Sequence, residues 1–385
     1  EREREILAFK PQEYWSITLE LEGSEKPKFQ AKLFKIAGEK AEVANKAEAD
    51  KILKGLEGAK PVLENIVKKE RKRNPSAPFI TSTLQQEASR KLNFSPKKTM
   101  MLAQRLYEGI ALGKKGTVGL ITYMRTDSVK LSDQALEEVR AYIPEKYGKE
   151  FLPGKPNTYK SKKSAQEAHE AIRPTDVQIE PNSLKDHLEK DSFRLYQLIW
   201  SRFVSCQMVP AVLDTTQFDI QTGNYLFRSN GSILKFAGFM KVYVESQDDE
   251  QSKESKPEGK ADDRLLPPLE KGETLKVHEV LPEQHFTQPP ARFSEAMLVK
   301  ELEDKGVGRP STYAATISVI KDRDYIQNVE RRLQPVELGF MINDLLVENF
   351  PDIMTTEFTA KMEEQLDDIE EGKLEWVDAL KSFYT

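Results

Sequence analysis

The sequence predicts a multidomain α+β protein in which a mostly helical block interrupts a β domain and a second helical block follows. Three observations carry that prediction. The chain has 385 residues, room for two to four domains at about 100–200 residues each. Segments alternating around β-branched and aromatic residues cluster in 13–67 and return in 214–280, with helix-patterned chain between them. From residue 292 the pattern becomes helix, glycine turn, helix and short hairpin.

Taken in order, segments 13–20 and 29–36 predict a hairpin, 46–54 a helix and 60–67 another strand. Ser82, with Gln85 three residues on, marks a helix cap, and Leu84, Ala88 and Leu92 lie on one face. Ser95-Pro96 opens a second helix through Met101, Leu102 and Leu106 to Gly109. A short apolar strand over 118–123 stops at polar Arg125-Thr-Asp-Ser128, and helices are expected at 132–143, 164–173 and 184–205. Strand character returns at 214–222, 225–229, 233–245 and 274–280.

The stretch 245–264 holds one apolar side chain, Ala261, and is expected to be a mobile loop because it can bury too little surface to offset its ordering entropy. A second break is expected at 282–292, around Pro282, Pro289 and Pro290. Ser294 then caps a helix carrying Leu298 and Leu302, Gly306 and Gly308 end it, and Pro310-Ser311-Thr312 opens the next, to about 322. Strands at 325–329 and 332–336 complete the outline of a winged helix-turn-helix, an outline that plain packing units share. No internal repeat is visible.

Lys and Arg number 58 against 63 Asp and Glu, a net charge of -5, which on its face argues against a polyanionic partner. The total is a cancellation. Residues 68–130 carry 14 basic and 4 acidic side chains, and residues 344–378 carry 2 and 12, local charges of +10 and -10. The basic stretch fits either a solvated surface or a polyanion face, and its interleaved Ser, Thr, Gln and Tyr donors favour the second. One cysteine, Cys206, excludes a disulfide within the chain and points to a reducing compartment. No run reaches the ~20 apolar residues of a membrane span and the N-terminus lacks a signal-peptide core, so a soluble, cytoplasmic chain is expected.

Three clusters carry chemistry. Tyr123 ends the apolar strand, and a phenol with an ordinary pKa near ~10 attacks phosphorus or carbonyl centres only if a neighbour offsets or takes its proton. Arg125, two residues on in an extended chain, projects to the same side and could stabilise a phenolate or a phosphoryl transition state. In the second cluster Gln166, His169 and Arg173 fall on one face of the expected helix, which Pro174 stops, and suit a phosphate that receives a proton or hydrogen bond. The third, Gly306-Val-Gly308-Arg309-Pro-Ser311-Thr312-Tyr313 with Arg323 beyond, reads as a phosphate cradle at a helix start or as an ordinary capped helix.

At these clusters the chain resembles the bacterial type IA DNA topoisomerases. The strings are Ser82-Thr-Leu-Gln-Gln-Glu-Ala-Ser89, Lys97-Lys-Thr-Met-Met101, Ile121-Thr-Tyr-Met-Arg-Thr-Asp-Ser128, Gln166-Glu-Ala-His-Glu-Ala-Ile-Arg-Pro174, Pro290-Ala-Arg-Phe-Ser-Glu-Ala296 and Gly308-Arg-Pro-Ser-Thr-Tyr313. The resemblance covers essentially the whole chain. It implies a toroidal core: a β-rich hinge domain over 19–82 and 210–289, an inserted tyrosine domain over 83–209, and a winged-helix-like single-strand DNA-binding domain that begins at 1–18 and resumes over 290–385.

The same resemblance implies that Tyr123 forms a transient 5′-phosphotyrosine link in single-stranded DNA and that the enzyme relaxes negatively supercoiled DNA without ATP. Arg125 would stabilise the attacked phosphate, His169 and Asp127 would position or protonate groups around it, and Arg309, Ser311, Thr312 and Arg323 would hold the strand. Two family features have no counterpart in this sequence: the Asp-x-Asp-x-Glu triad of the toprim domain, which binds Mg2+, and the cysteine-rich zinc ribbons. The chain is therefore expected to be a core fragment, inactive alone, whose partners are DNA and the toprim domain of the same enzyme, with no metal ligands of its own. A monomer associated with the nucleoid is expected. Two other classes stay open: a non-catalytic helix-turn-helix DNA-binding module and a phosphodiesterase that hydrolyses its Tyr123 adduct.

Overall fold

The structure, a computed structural model, describes residues 1–113, 116–160, 169–246 and 266–384. Gln166 and the rest of 164–168, together with most of the expected loop at 245–264, lie outside the described residues. In chain order a short helix, α1 (Arg2–Ala8), leads into strands β1 (Glu13–Glu22), β2 (Phe29–Ile36) and β3 (Glu39–Lys40), then α2 (Lys46–Leu56) and β4 (Val62–Arg73). The insert runs α3 (Thr81–Leu92), α4 (Pro96–Glu108), β5 (Ile110–Ala111), β6 (Thr117–Val118), α5 (Asp133–Tyr147) and α6 (Lys190–Cys206). Strands β7 (Ala211–Thr222), β8 (Tyr225–Phe236) and β9 (Lys276–Phe286) return. Helices α7 (Glu295–Asp304) and α8 (Tyr313–Asp322), the hairpin β10 (Ile326–Val329) and β11 (Arg332–Pro335), and α9 (Glu337–Asn349), α10 (Thr356–Glu370) and α11 (Trp376–Tyr384) follow.

The described residues form two compact units, one of Glu1–Asn74, Pro210–Gly238 and 266–291, the other of Pro75–Val209, 239–246 and 292–384. The first is built on an antiparallel sheet in the order β4-β7-β8-β2-β1-β9, with β3 beside β2. Ile17, Leu19 and Leu21 of β1 alternate onto the core face, where Ala49, Ile52 and Leu56 of α2 cover them. Asn45 caps α2 by accepting the Glu48 N–H at 3.0 Å. Beyond Ile66, β4 runs along the sheet edge with Lys68 through Arg73 exposed, so part of the basic stretch lines an edge that Lys and Arg keep from pairing with another chain.

Three expectations change here. Residues 13–18, expected to open the helical domain, lie in β1 and pair along β9 from Glu13 opposite Phe286. Pro282 does not break the chain: it sits inside β9 opposite Ile17, tolerated because β9 is an edge strand and the missing N–H costs no ladder bond on its open side. The strand expected at 233–245 is the second half of one long β8, which ends at Phe236 and gives way to a 3-10 turn at Gly238–Lys241.

In the second unit α3, α4 and α6 pack together through Leu84 and Ala88, Leu102 and Leu106, and Leu195, Ile199 and Phe203. Ser95 accepts the Lys98 N–H with Pro96 at the first helical position, as its sequence predicts. Helix α5 joins through Tyr142, whose ring meets Trp200 edge-on at 5.7 Å. Helix α3 starts one residue before the expected cap: Thr83 Oγ1 accepts the Ile80 N–H, while Ser82 and Gln85 are buried and their side chains have no hydrogen-bond partner among the described residues. The helix expected at 184–205 begins at Lys190, after a 3-10 turn at Pro181–Leu184.

Helix α7 lies on α3 and α8 on α4, with Val299, Tyr313 and Ile317 as the small core between α7 and α8. Helix, glycine turn, helix and hairpin occur in the expected order. The hairpin turns on Glu330 and Arg331, both in the left-handed region at φ 49° and 65°, the backbone a two-residue loop between twisted strands requires. Helices α9, α10 and α11 bury none of their residues among the described part and expose Met341, Leu345, Leu366, Trp376 and Phe383.

Candidate active site around Tyr123

The chain from Gly119 to Lys130 is irregular, yet three neighbours bind its backbone. Leu120 N–H donates to Leu106 O at the end of α4, at 2.7 Å. Gly119 permits that approach, since a Cβ there would stand 2.7 Å from Tyr107 O. Segment 169–175 runs alongside: Thr122 N–H donates to Arg173 O, Thr122 Oγ1 donates to Ala171 O and accepts the Arg173 N–H, and Thr175 N–H donates to Leu120 O. The start of α3 is the third neighbour, with Thr81 bonded to Met124 and Thr126. The expected strand at 118–123 is thus reduced to β6 and one bridge, Ile121 opposite Pro174.

The helix expected at 164–173 is not formed over 169–173. Those residues are irregular, because the N–H groups of Ala171, Ile172 and Arg173 bond to Lys130, Phe79 and Thr122 rather than to one another. Arg173 therefore does not share a helical face with His169. Its guanidinium turns to Glu170 Oε2 at 2.7 Å and to Pro174 O. Glu170 in turn accepts the Ser132 N–H at the start of α5. Burial alone would push the Glu170 carboxyl up, but the bonds from Ser132 and the Arg173 charge outweigh it and hold it below the usual carboxylate range.

What remains free is the chemistry-bearing part. The Tyr123 side chain is 41% exposed, and its hydroxyl has no hydrogen-bond partner among the described residues. Its ring stands edge-on to Tyr107 at 5.4 Å and 6.4 Å from the His169 imidazole, centroid to centroid. Met124 is buried between exposed Tyr123 and Arg125, and the Arg125 guanidinium makes no ion pair among the described residues. The Tyr123 phenol thus stands beside the His169 imidazole, with exposed Arg125 two residues on in the chain. Sequence reasoning missed Tyr107, which lies on α4 and whose only sequence signal is an aromatic near the helix end.

Asp127 is half-buried, close enough to Tyr313 at the start of α8 for its charge to act on that phenol. Burial pushes the Tyr313 phenol well above the usual tyrosine value, and the charges of Glu303 and Asp127 add to it against the opposing Arg309. The third cluster is arranged differently from its sequence expectation. Arg309 Nε and Nη2 form a two-pronged pair with Asp367 of α10, at 2.7 Å for the shorter contact, and Nη1 donates to Gly306 O and Gly308 O. Thr312 Oγ1 accepts the Arg309 N–H at 2.8 Å, closing the turn before α8. Ser311 and Arg323 are exposed, and Arg323 has no side-chain partner among the described residues.

No three His, Cys, Asp or Glu side chains among the described residues are grouped to hold a metal ion. No helix among them is long and apolar enough to cross a membrane. The pattern for DNA topoisomerase matches residues 1–381. DNA topoisomerase 1 of Rickettsia felis is 48% identical over 391 residues, covering 100% of this chain and 49% of the relative. That of Rickettsia bellii is 50% identical over 390 residues, covering 100% and 48%. Full-length topoisomerase I from Thermotoga maritima superimposes with a TM-score of 0.84 at 38% identity, over 100% of this chain and 59% of that one. The chain spans about half the length of the curated relatives it matches. With that coverage, and with the α+β architecture in agreement, this chain belongs to the bacterial type IA DNA topoisomerases.

Proposed function

We propose that this chain supplies the nucleophile and part of the strand-holding surface of an ATP-independent enzyme that relaxes negatively supercoiled DNA through a transient single-strand break. Tyr123 Oη attacks a backbone phosphorus, the P–O3′ bond breaks, and a 5′-phosphotyrosine link and a 3′-hydroxyl result. The phenol loses one proton and the departing oxygen gains one, so the step balances and its reversal reseals the strand. The bond energy stays in the phosphoester, which is why no ATP is needed. The observation that carries this reading is the exposed Tyr123 beside His169 and two residues from exposed Arg125, the Tyr123 hydroxyl without a hydrogen-bond partner and Arg125 without an ion pair among the described residues.

In this scheme Arg125 offsets charge on the attacked phosphate, and His169 hands a proton or a hydrogen bond to the departing oxygen. Asp127 orients groups on the side toward α8. Exposed Ser311 and Arg323 contact the strand directly, while Arg309 and Thr312 shape the turn that presents them. The Mg2+ that family membership implies finds no fitting set of side chains among the described residues, and no step above runs through it. The rest of the protein, including the toprim part, would cover the apolar side chains that α9–α11 leave exposed. A monomeric, cytoplasmic enzyme working at the nucleoid is the setting this implies.

The test uses the whole protein, Mg2+ and a single-stranded oligonucleotide labelled at its 3′ end. Wild type should become labelled and Tyr123→Phe should not; a labelled Tyr123→Phe protein overturns the assignment of the nucleophile. Sequence-specific duplex binding with no cleavage would favour a DNA-binding module instead, and cut DNA that accumulates unlinked would favour a phosphodiesterase.

A further inference from the structure

We propose that Thr81 is a positioning residue for the reaction at Tyr123, acting through the backbone on both sides of Arg125; the proposal rests on the function above. Thr81 is fully buried. Its hydroxyl accepts the Thr126 N–H at 2.9 Å and donates to Met124 O at 2.7 Å, with Thr126 O at 3.1 Å as a second acceptor in reach. Its own N–H donates to Thr126 O at 2.9 Å. One residue therefore holds the peptides before and after Arg125, while the Arg125 side chain stays exposed.

The same turn of chain also fixes the His169 side. Phe79 O accepts the Ile172 N–H at 2.8 Å, a bridge that ties the segment after His169 to the chain before α3. Phe79 is itself clamped, with the Arg202 guanidinium 4.9 Å from its ring centre and Tyr243 edge-on at 6.3 Å. Residues 79–81 thus hold two separate segments of the site, 124–126 and the chain around Ile172. A hydroxyl is required at Thr81 because one atom must both donate and accept; valine has the same shape and can do neither.

The experiment compares Thr81→Val and Thr81→Ser in the whole protein, measuring single-turnover cleavage of a single-stranded oligonucleotide and, separately, its noncovalent affinity by fluorescence anisotropy. Thr81→Val should cleave about 10- to 100-fold more slowly, as expected for reacting groups misplaced by a fraction of an ångström to 1 Å, with affinity within about threefold. Thr81→Ser keeps the hydroxyl and should restore cleavage to within about threefold of wild type. Cleavage by Thr81→Val at the wild-type rate, or an equal loss of affinity and rate, overturns the proposal. If Thr81→Val does not fold, Thr81→Ser decides alone: a tenfold or greater loss there, roughly one pK unit's worth of barrier, overturns it too. Tyr123→Phe runs alongside: an adduct in that variant sinks the function itself, whereas its absence together with full activity in Thr81→Val sinks only the role of Thr81.

Discussion

Around Tyr123 the backbone is bound by three neighbours while the phenol and the Arg125 guanidinium are exposed and have no polar partner among the described residues. Around Gly308 the Arg309 guanidinium is itself engaged, bridging Asp367 and two carbonyls, and the neighbouring exposed Ser311 and Arg323 are what face solvent. Both clusters are family strings of the same unit and both contain an arginine in irregular chain. The difference is that one arginine is available to a ligand and the other is part of the scaffold. An arginine in a motif therefore splits into two kinds only when its hydrogen-bond partners are known.

Substitutions should separate the two kinds, beginning with the largest effect. Tyr123→Phe should abolish the covalent adduct while leaving single-strand affinity nearly intact, read by labelling and by anisotropy on the same protein. Arg125→Ala should slow cleavage by about 10²–10³-fold, the usual cost of removing one group that stabilises developing charge, with no change in melting temperature because the side chain has no ion-pair partner among the described residues. Arg309→Ala should do the reverse in character: it strands a partly buried Asp367 and two carbonyls, and should cost about 1–3 kcal/mol of stability after allowance for solvent exposure, visible as a lower melting midpoint. Asp367→Ala should cost a similar amount, and the double variant little more than either alone. A stable Arg309→Ala protein that binds DNA poorly would move Arg309 into the ligand-facing class.

The smallest expected effect concerns acid. Glu170 has a lowered carboxyl pKa in the folded protein, so the unfolded chain takes up its proton first as pH falls. Its contribution to stability is complete above the ordinary glutamate value of about 4.3 and disappears as pH drops through the lower folded value. Thermal melts of Glu170→Gln against wild type should therefore diverge at pH 7 and converge toward pH 3. Equal differences at both ends would mean that the Ser132 and Arg173 bonds do not depend on the Glu170 charge.

Much of this architecture is legible in the sequence because it is local. The alternation of Ile17, Leu19 and Leu21, the Asn45 and Ser95 caps, and the hairpin after α8 each depend on residues within a few positions of one another. The string around Tyr123 is legible as a resemblance. What sequence alone misjudged depends on remote partners. Pro282 is harmless because β9 has no strand on its far side among the described residues. Segment 169–173 has helical spacing, yet Phe79 and Thr122, some 90 and 50 residues earlier, take its amides. Arg309 meets Asp367, 58 residues on, and nothing near Arg309 announces it. Thr81 passes for an ordinary residue at a helix start until its hydroxyl is seen between Met124 and Thr126.

The lone thiol of Cys206 lies fully buried at the end of α6, donating to Phe203 O, and burial pushes it up to about 12. At neutral pH it is almost entirely protonated and shielded, so maleimide reagents have no thiolate to reach. A cysteine introduced at an exposed position to which no contact is assigned, such as Asp322, would then be the one reactive thiol this chain offers, and a dye placed there would have no background site to remove.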